Sequence, residues 1–168
     1  DGSVDNSFLA HFGDGTGVSV SKLALQSDGK IIVAGSFTSV NGVSRPGFAR
    51  LNADGSLDAN FLNGLSGPAG ASASITSITI QTDGRIIISG YFETVNGVAR
   101  PYLARLNADG SVDASFLNSL AGPDLVVLTV GLQPDDRLVI GGRFSAVNGT
   151  NQPGIARLHA DGSLDETF

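Results

Sequence analysis

The chain contains no cysteine, no methionine and no tryptophan, and only two of its 168 residues are lysine. The absence of cysteine excludes disulfides and thiolate metal centres. With a formal net charge of −6, the chain lacks the basic patch that nucleic-acid binding requires, and anionic membrane surfaces would repel it. No apolar run approaches the roughly 18 residues of a membrane-spanning helix. We therefore expect no nucleic-acid partner and no membrane insertion.

The overall composition is that of a folded protein. Hydrophobic residues make up 41% of the chain and charged residues 15%, which predicts a single domain over residues 1–168 with a core of its own. The 23 glycines predict many tight turns. Because the sequence does not begin with methionine and carries no signal peptide, we expect a mature, excised or trimmed product.

One phrase recurs along the chain at a spacing of about 53 residues. It reads Asp-Gly-Ser-Leu-Asp-Ala-Asn-Phe at 54–61 and returns, with small changes, at 1–8, 109–116 and 161–168. A period of this length indicates a repeat architecture in which one structural unit is copied and stacked. The resulting units are repeat 1 (9–61), repeat 2 (62–116), repeat 3 (117–168) and a closing strand at 1–8, equivalent to the end of a preceding repeat.

The pattern within each repeat predicts four short antiparallel β-strands. In repeat 2, a β-branched run at 75–81 is followed by Asp83-Gly84 and a second apolar run, which is a strong hairpin signal. Repeat 3 has Asp135-Asp136 at this turn, so we expect a looser turn there. With no helical pattern, the sequence predicts an all-β fold of three four-stranded β-propeller blades. A β-trefoil-like three-fold barrel is the alternative, since it also uses four strands in each of three repeats.

Two stretches of the first repeat resemble a known family. Residues 26–35, Gln-Ser-Asp-Gly-Lys-Ile-Ile-Val-Ala-Gly, and 50–58, Arg-Leu-Asn-Ala-Asp-Gly-Ser-Leu-Asp, are similar to the bacterial delta-60 repeat. The resemblance covers all three copies. It implies a propeller-type module of a large secreted or cell-surface bacterial protein, hence an extracellular or surface location. It carries over no catalytic residue. We also expect no cofactor.

Three blades are too few to close a ring, because propellers have at least four. They leave two apolar faces exposed, and exposed apolar faces favour association. We therefore expect a two-chain, six-bladed ring or a piece of a longer array. A head-to-tail contact that does not close would give a filament.

Two sets of repeated polar residues are candidate sites. The oxygen-bearing Asp54 and Asp58 stand at positions that could ligate Ca²⁺, although the loop lacks the pattern of an EF-hand, and local turn hydrogen bonds are the favoured interpretation. A recurring arginine could hold an anion in a central channel. We favour structural ion pairs, because both partners repeat together. The pairs are Arg50 with Asp58, Arg105 with Asp113 and Arg157 with Asp165.

The residues that differ between copies are where a specific ligand would bind. Loops on one face of a propeller commonly form its binding surface, and tyrosine beside a carboxylate suits a sugar or a peptide. The candidates are Tyr91, Tyr102, Glu93, His11, Asp14 and Asp124.

The leading functional hypothesis is a non-catalytic interaction or assembly scaffold. A lectin-like glycan-binding propeller, a hydrolase with a site formed across blades, and a self-assembling filament subunit are the alternatives. Catalysis has little support, because the only histidines, His11 and His159, lie in different copies and the only glutamates are Glu93 and Glu166.

Overall fold

The computed structural model describes residues 2–13 and 17–168, so the candidate Asp14 lies outside the described residues. Within these ranges the chain forms sixteen β-strands and no helix, which confirms the predicted all-β class but not the predicted number of strands. Repeat 1 contains β1 (Ser19–Leu25), β2 (Ile31–Ser36), β3 (Ser39–Val40), β4 (Val43–Ser44) and β5 (Phe48–Leu51). Repeat 2 contains β6 (Pro68–Ala69), β7 (Ser74–Ile80), β8 (Ile86–Tyr91), β9 (Thr94–Val95), β10 (Val98–Ala99) and β11 (Leu103–Leu106). Repeat 3 contains β12 (Val127–Leu132), β13 (Leu138–Gly142), β14 (Ala146–Val147), β15 (Thr150–Asn151) and β16 (Ile155–Leu158).

The three long strands of each repeat form one antiparallel sheet. The orders are β1-β2-β5, β7-β8-β11 and β12-β13-β16, so the middle strand always lies between the other two. No described long strand pairs with a strand of another repeat. Three separate sheets of this kind are arranged as blades and do not form one barrel.

The fourth strand is shorter than the sequence predicts. In place of a strand, each repeat makes one isolated bridge, Leu51 to Leu57 in repeat 1, with equivalents in the other two. The pairing stops at Asp58, because its carboxylate accepts a hydrogen bond from the backbone N–H of Asn60 and so turns the chain. The four-stranded blade is therefore a three-stranded sheet with one residue of a fourth.

The Asn-Gly turns produce small hairpins that stand apart from the main sheets. These hairpins are β3/β4, β9/β10 and β14/β15. Each also pairs with the connector that precedes the first long strand of its repeat, as in the pairing of β6 with β9. The connector is thereby fixed to the repeat that follows it.

The expectation of a looser turn in repeat 3 is wrong. Asp136 occupies the left-handed conformation with φ of 60°, as Gly84 does with φ of 82°. The backbone N–H of each residue donates to the carbonyl of a glutamine three residues earlier, at 3.0 Å in both cases. Aspartate tolerates this conformation better than most residues, so the turn is kept.

A glycine at the end of each middle strand is required by close packing of backbone. A Cβ atom at Gly35 would lie 2.0 Å from the carbonyl oxygen of Ser19, and the distances at Gly90 and Gly142 are nearly the same. The first strand carries an irregularity at this point, between Val20 and Lys22 in repeat 1. The bulge and the glycine together bring two backbones closer than a side chain permits.

The hydrophobic core lies between successive sheets. One cluster joins repeats 1 and 2 through residues such as Ile32, Phe48 and Ile88. A second joins repeats 2 and 3 through residues such as Ile87 and Val130. The first long strands also meet, with β7 packed against both β1 and β12. This is the arrangement of consecutive propeller blades.

Candidate functional site

Each repeat holds its predicted arginine and aspartate in direct contact. The Nε atoms of Arg50, Arg105 and Arg157 donate to their aspartates at 2.8 Å. The guanidinium group also lies over the phenylalanine that ends the repeat, at 4.6 Å from the Phe61 ring centre in repeat 1. The aspartates are Asp58, Asp113 and Asp165.

The arginines also join one repeat to the next. A terminal nitrogen of Arg50 donates to the carbonyl of Ala108, and a terminal nitrogen of Arg105 donates to the carbonyl of Ala160. The acceptor is in each case the Asn-Ala-Asp-Gly or His-Ala-Asp-Gly turn of the following repeat. The Arg157 side chain is more exposed, at 19% against 5% for Arg105. These arginines are thus occupied by structural contacts and do not point into an anion site.

The environment favours the ionised form of these aspartates. Burial opposes ionisation of Asp58, but hydrogen bonds from Lys30, the Asn60 backbone and Arg50 outweigh it and hold its pKa below the usual range. The same balance lowers the pKa of Asp113, where Ser115 and Arg105 donate. The cluster therefore carries its full charge at neutral pH.

The possible Ca²⁺ ligands are engaged with protein groups. The carboxylate of Asp54 accepts the backbone N–H of Ser56 at 2.9 Å and its hydroxyl at 2.6 Å. These bonds, the hydroxyl first, lower the pKa of Asp54. Asp58 faces Arg50 and Lys30. Within residues 2–13 and 17–168, no three His, Asp or Glu side chains are grouped so that they could hold a metal ion.

Three of the predicted ligand-binding residues share one cleft. Tyr91, Glu93 and Tyr102 line a cavity of about 250 Å³ together with the loop 70–72. Tyr91 is 39% exposed. The carboxylate of Glu93 makes no hydrogen bond or ion pair with any other described residue. The cleft thus combines two aromatic rings with a carboxylate that is available to accept hydrogen bonds.

The other two described candidates lie elsewhere. The backbone of His11 exchanges hydrogen bonds with Asn41, at 2.8 Å to its side-chain oxygen and 2.7 Å from its N–H. The carboxylate of Asp124 accepts the N–H groups of Ser145 and Ala146 and the hydroxyl of Ser145. These bonds, the hydroxyl first, lower the pKa of Asp124. Neither residue lines the tyrosine cleft.

The repeated asparagine of the Asn-Gly turn has a linking role that the sequence did not lead us to predict. The side chain of Asn96 accepts the backbone N–H of Gly67 at 2.8 Å and donates to the carbonyl of Gly110 at 2.9 Å. It thereby joins the incoming connector to the Asp-Gly turn of the same repeat. Asn148 makes the same two bonds. The signal in the sequence is the presence of Asn rather than Asp or Gly in all three turns, because of these three side chains only the amide of Asn both donates and accepts at neutral pH.

A larger cavity between repeats 1 and 2 was not predicted either. It measures about 520 Å³, and its walls come from both repeats, including Ser36 and Gly47 on one side and Ser74 on the other. The signal in the sequence is the contrast with repeat 2, where tyrosines stand at the positions of Ser36 and Gly47. The cavity itself could not be foreseen, because it depends on how two repeats are placed.

No described helix is both long and apolar enough to cross a membrane. No curated protein matches the sequence. One family model does match, three times, over residues 26–61, 81–116 and 133–168, and its description is "Domain of unknown function (DUF5122) beta-propeller". These matches cover more than half of the chain and fall once in each repeat. The chain therefore belongs to this family of β-propeller repeats.

Proposed function

We propose that the chain is a non-catalytic scaffold module whose two end faces accept further blades of the same kind. These blades are supplied by the same polypeptide or by a second copy. One observation carries the proposal. Certain positions are buried where a neighbouring repeat covers them, and the equivalent positions at the two ends of the molecule are exposed. The family match supports the propeller architecture on which the proposal depends.

The face of repeat 3 directed away from repeat 2 exposes apolar side chains. Phe168 is 50% exposed, whereas the equivalent Phe61 and Phe116 are fully buried. Ile155 is 51% exposed, whereas the equivalent Leu103 is fully buried against repeat 3. We call this surface the trailing face. Burial of these two side chains against another sheet would release water from their apolar surface.

The opposite face of repeat 1 shows the same contrast. Leu23 and Leu25 on β1 are 64% and 68% exposed. The equivalent positions of β7, Ile78 and Ile80, pack against the core shared by repeats 1 and 2. We call this surface the leading face. A trailing face and a leading face would meet as repeats 1 and 2 do, because the internal interfaces already join the same two surfaces.

The hydrogen bonds across the internal interfaces also favour contact between a trailing face and a leading face. Arg50 and Arg105 each donate to an alanine carbonyl in the next repeat. Arg157 on the trailing face would find its counterpart in the carbonyl of Ala53, which lies in the equivalent turn of repeat 1. A contact of this type is heterologous, so it closes into a ring or continues as a filament.

The resemblance to the delta-60 repeat supports an extracellular or cell-surface location for the proposed scaffold. Large bacterial arrays of such repeats are secreted or held at the cell surface. A fusion to a reporter that is active only outside the cytoplasm, expressed from the natural gene, would test it.

A charge placed on either end face tests the scaffold role. Ile155→Asp and Leu23→Asp each put a carboxylate where association would bury it, so sedimentation should show at least tenfold weaker association. The matched control is Val98→Asp, since Val98 is 43% exposed but lies on a small hairpin away from both faces. Equal association of all three variants would contradict the proposal.

Glycan binding is the second candidate function, favoured by the cleft that Tyr91, Glu93 and Tyr102 share. Tyrosine rings stack on sugar faces, and a carboxylate accepts bonds from sugar hydroxyls. Tyr91→Ala should abolish saturable binding to a responsive glycan on a broad panel. Arg143→Ala is the control, because Arg143 is exposed at the position of Tyr91 in repeat 3. Failure to bind any member of the panel would reject this candidate.

A further inference from the structure

The cavity of about 520 Å³ between repeats 1 and 2 has the size of a small-molecule site. One wall consists of the end of β2 and the turn before β5. The other consists of the connector that leads into β7. Because the two walls belong to different blades, the cavity exists only where two repeats are packed together.

The described residues that line this cavity offer both polar and apolar atoms but no ionisable side chain. Four side-chain hydroxyl groups belong to its lining residues, those of Ser36, Thr38, Ser66 and Ser74, and all four residues are exposed to solvent. None of these hydroxyls makes a hydrogen bond with another described residue. By contrast, the hydroxyl of Ser56 in the Asp-Gly turn is bound to Asp54 at 2.6 Å. The cavity therefore gathers hydroxyls that can both donate and accept.

Small residues keep this space open. Between repeats 2 and 3, larger side chains stand at the corresponding positions. Tyr91 replaces Ser36, Tyr102 replaces Gly47, Leu125 replaces Ala73 and Val126 replaces Ser74. The repeated architecture does not require the small residues, since the fold accommodates the large ones one repeat later. The interface between repeats 1 and 2 thus has space for a ligand that the described interface between repeats 2 and 3 lacks, although both interfaces have the same fold.

We propose that this cavity binds an uncharged sugar of one or two rings. A charged ligand would lose water without gaining an opposite charge from the described lining residues, because none of them is ionisable. A neutral sugar replaces that water with bonds to the four hydroxyls. Its apolar C–H faces lie against Pro68 and Ile75, which also line the cavity. Of the residues that line the two cavities, the site shares only Gly70 with the tyrosine cleft, and it is independent of the scaffold function.

Gly47→Tyr tests the proposal, because it copies repeat 2 and fills the cavity. Gly47 has φ of 69° and Tyr102 has φ of 66°, so the fold accepts tyrosine in this backbone conformation. The probes are glucose, galactose, N-acetylglucosamine, maltose and cellobiose at millimolar concentration. Saturation-transfer NMR on the full chain should detect at least one of them. Gly47→Tyr should weaken that binding at least tenfold.

Two further variants show whether the sugar occupies this cavity or another surface of the protein. Gly154→Tyr, at the equivalent position in repeat 3 with φ of 77°, should leave binding unchanged. Loss of sugar binding in Tyr102→Ala, with binding unchanged in Gly47→Tyr, would move the sugar to the tyrosine cleft and overturn the proposal. If Gly47→Tyr lowers the melting temperature, Ser74→Val provides the same test, since it copies Val126 and should weaken binding severalfold. No binding of any probe, or unchanged binding in Gly47→Tyr and Ser74→Val, would also overturn it.

Discussion

Arg105 and Asp113 form a buried ion pair, with Nε and Oδ2 at 2.8 Å and side chains only 5% and 8% exposed. The guanidinium lies 4.8 Å from the ring centre of Phe116 and donates to the carbonyl of Ala160 in the next repeat. One arginine thus links its own strand, the end of its repeat and the following repeat. The equivalent Arg157 forms the same ion pair but is more exposed.

Arg105→Met should therefore destabilise the protein far more than Arg157→Met. Methionine removes the guanidinium and leaves the Asp113 carboxylate buried beside fewer donors, at a cost of about 3 kcal/mol. Arg157→Met should cost less, because the Arg157 side chain is 19% exposed and makes no hydrogen bond to a further repeat in the described structure. Urea unfolding of both variants measures the difference. Equal free energies of unfolding would show that the contact with the next repeat contributes nothing.

The contribution of Asp113 to stability should be lost in acid. Its pKa is lowered on folding from the usual value of 3.8, so the folded state binds the proton less readily than the unfolded chain. The stabilisation is then complete above about pH 5 and disappears as the pH falls through 3.8 toward the lower folded pKa. The difference in unfolding free energy between the wild type and Asp113→Asn should shrink over that range. A difference that stays constant from neutral pH down into strong acid would contradict this assignment.

Gly35→Ala should be strongly destabilising, by about 3 kcal/mol. The new Cβ would lie 2.0 Å from the Ser19 carbonyl oxygen, so two backbones must separate. Gly131→Ala is the matched control, because its Cβ would meet nothing closer than 3.9 Å. Thermal unfolding should show a large drop in melting temperature for Gly35→Ala and little change for the control. Similar melting temperatures would mean that the backbones are not in close contact.

Asn96→Gly should cost about 2 kcal/mol. Glycine keeps the left-handed backbone that Asn96 adopts with φ of 53°, so only the two hydrogen bonds to Gly67 and Gly110 are lost. Asn63→Gly serves as the control, because Asn63 is exposed and makes no side-chain hydrogen bond to another described residue. Chemical denaturation compares the two. A loss no greater than that of the control would contradict the linking role of Asn96.

Local patterns in the sequence were sufficient to predict the hairpins formed by the long strands. The β-branched run before Asp83-Gly84 and the apolar run after it form β7 and β8, with Ile80 opposite Ile86. Such pairs are set by residues close in sequence, so composition and turn chemistry predict them. Turn chemistry alone gave the wrong prediction at Asp136, because the neighbouring strands hold this aspartate in the left-handed conformation that glycine usually occupies.

Features that depend on contacts between residues far apart in the sequence could not be predicted from local patterns. The fourth strand shrinks to a single bridge because Asp58 turns the chain to meet Arg50 and Lys30. The cavity beside Gly47 requires two blades at a fixed distance. Tyr91 and Tyr102 stand out in the sequence because they occur only in repeat 2, but only the structure brings them together with Glu93.

The exposed end faces lead to the most direct test of the scaffold proposal. Light scattering on a sizing column, across a concentration series of the 168-residue chain, measures its molar mass in solution. Burial of Phe168 and Leu23 against a second copy predicts species above 17.1 kDa whose share grows with concentration. A well-folded species of 17.1 kDa at every concentration would show that these faces do not accept a second copy and would contradict self-association.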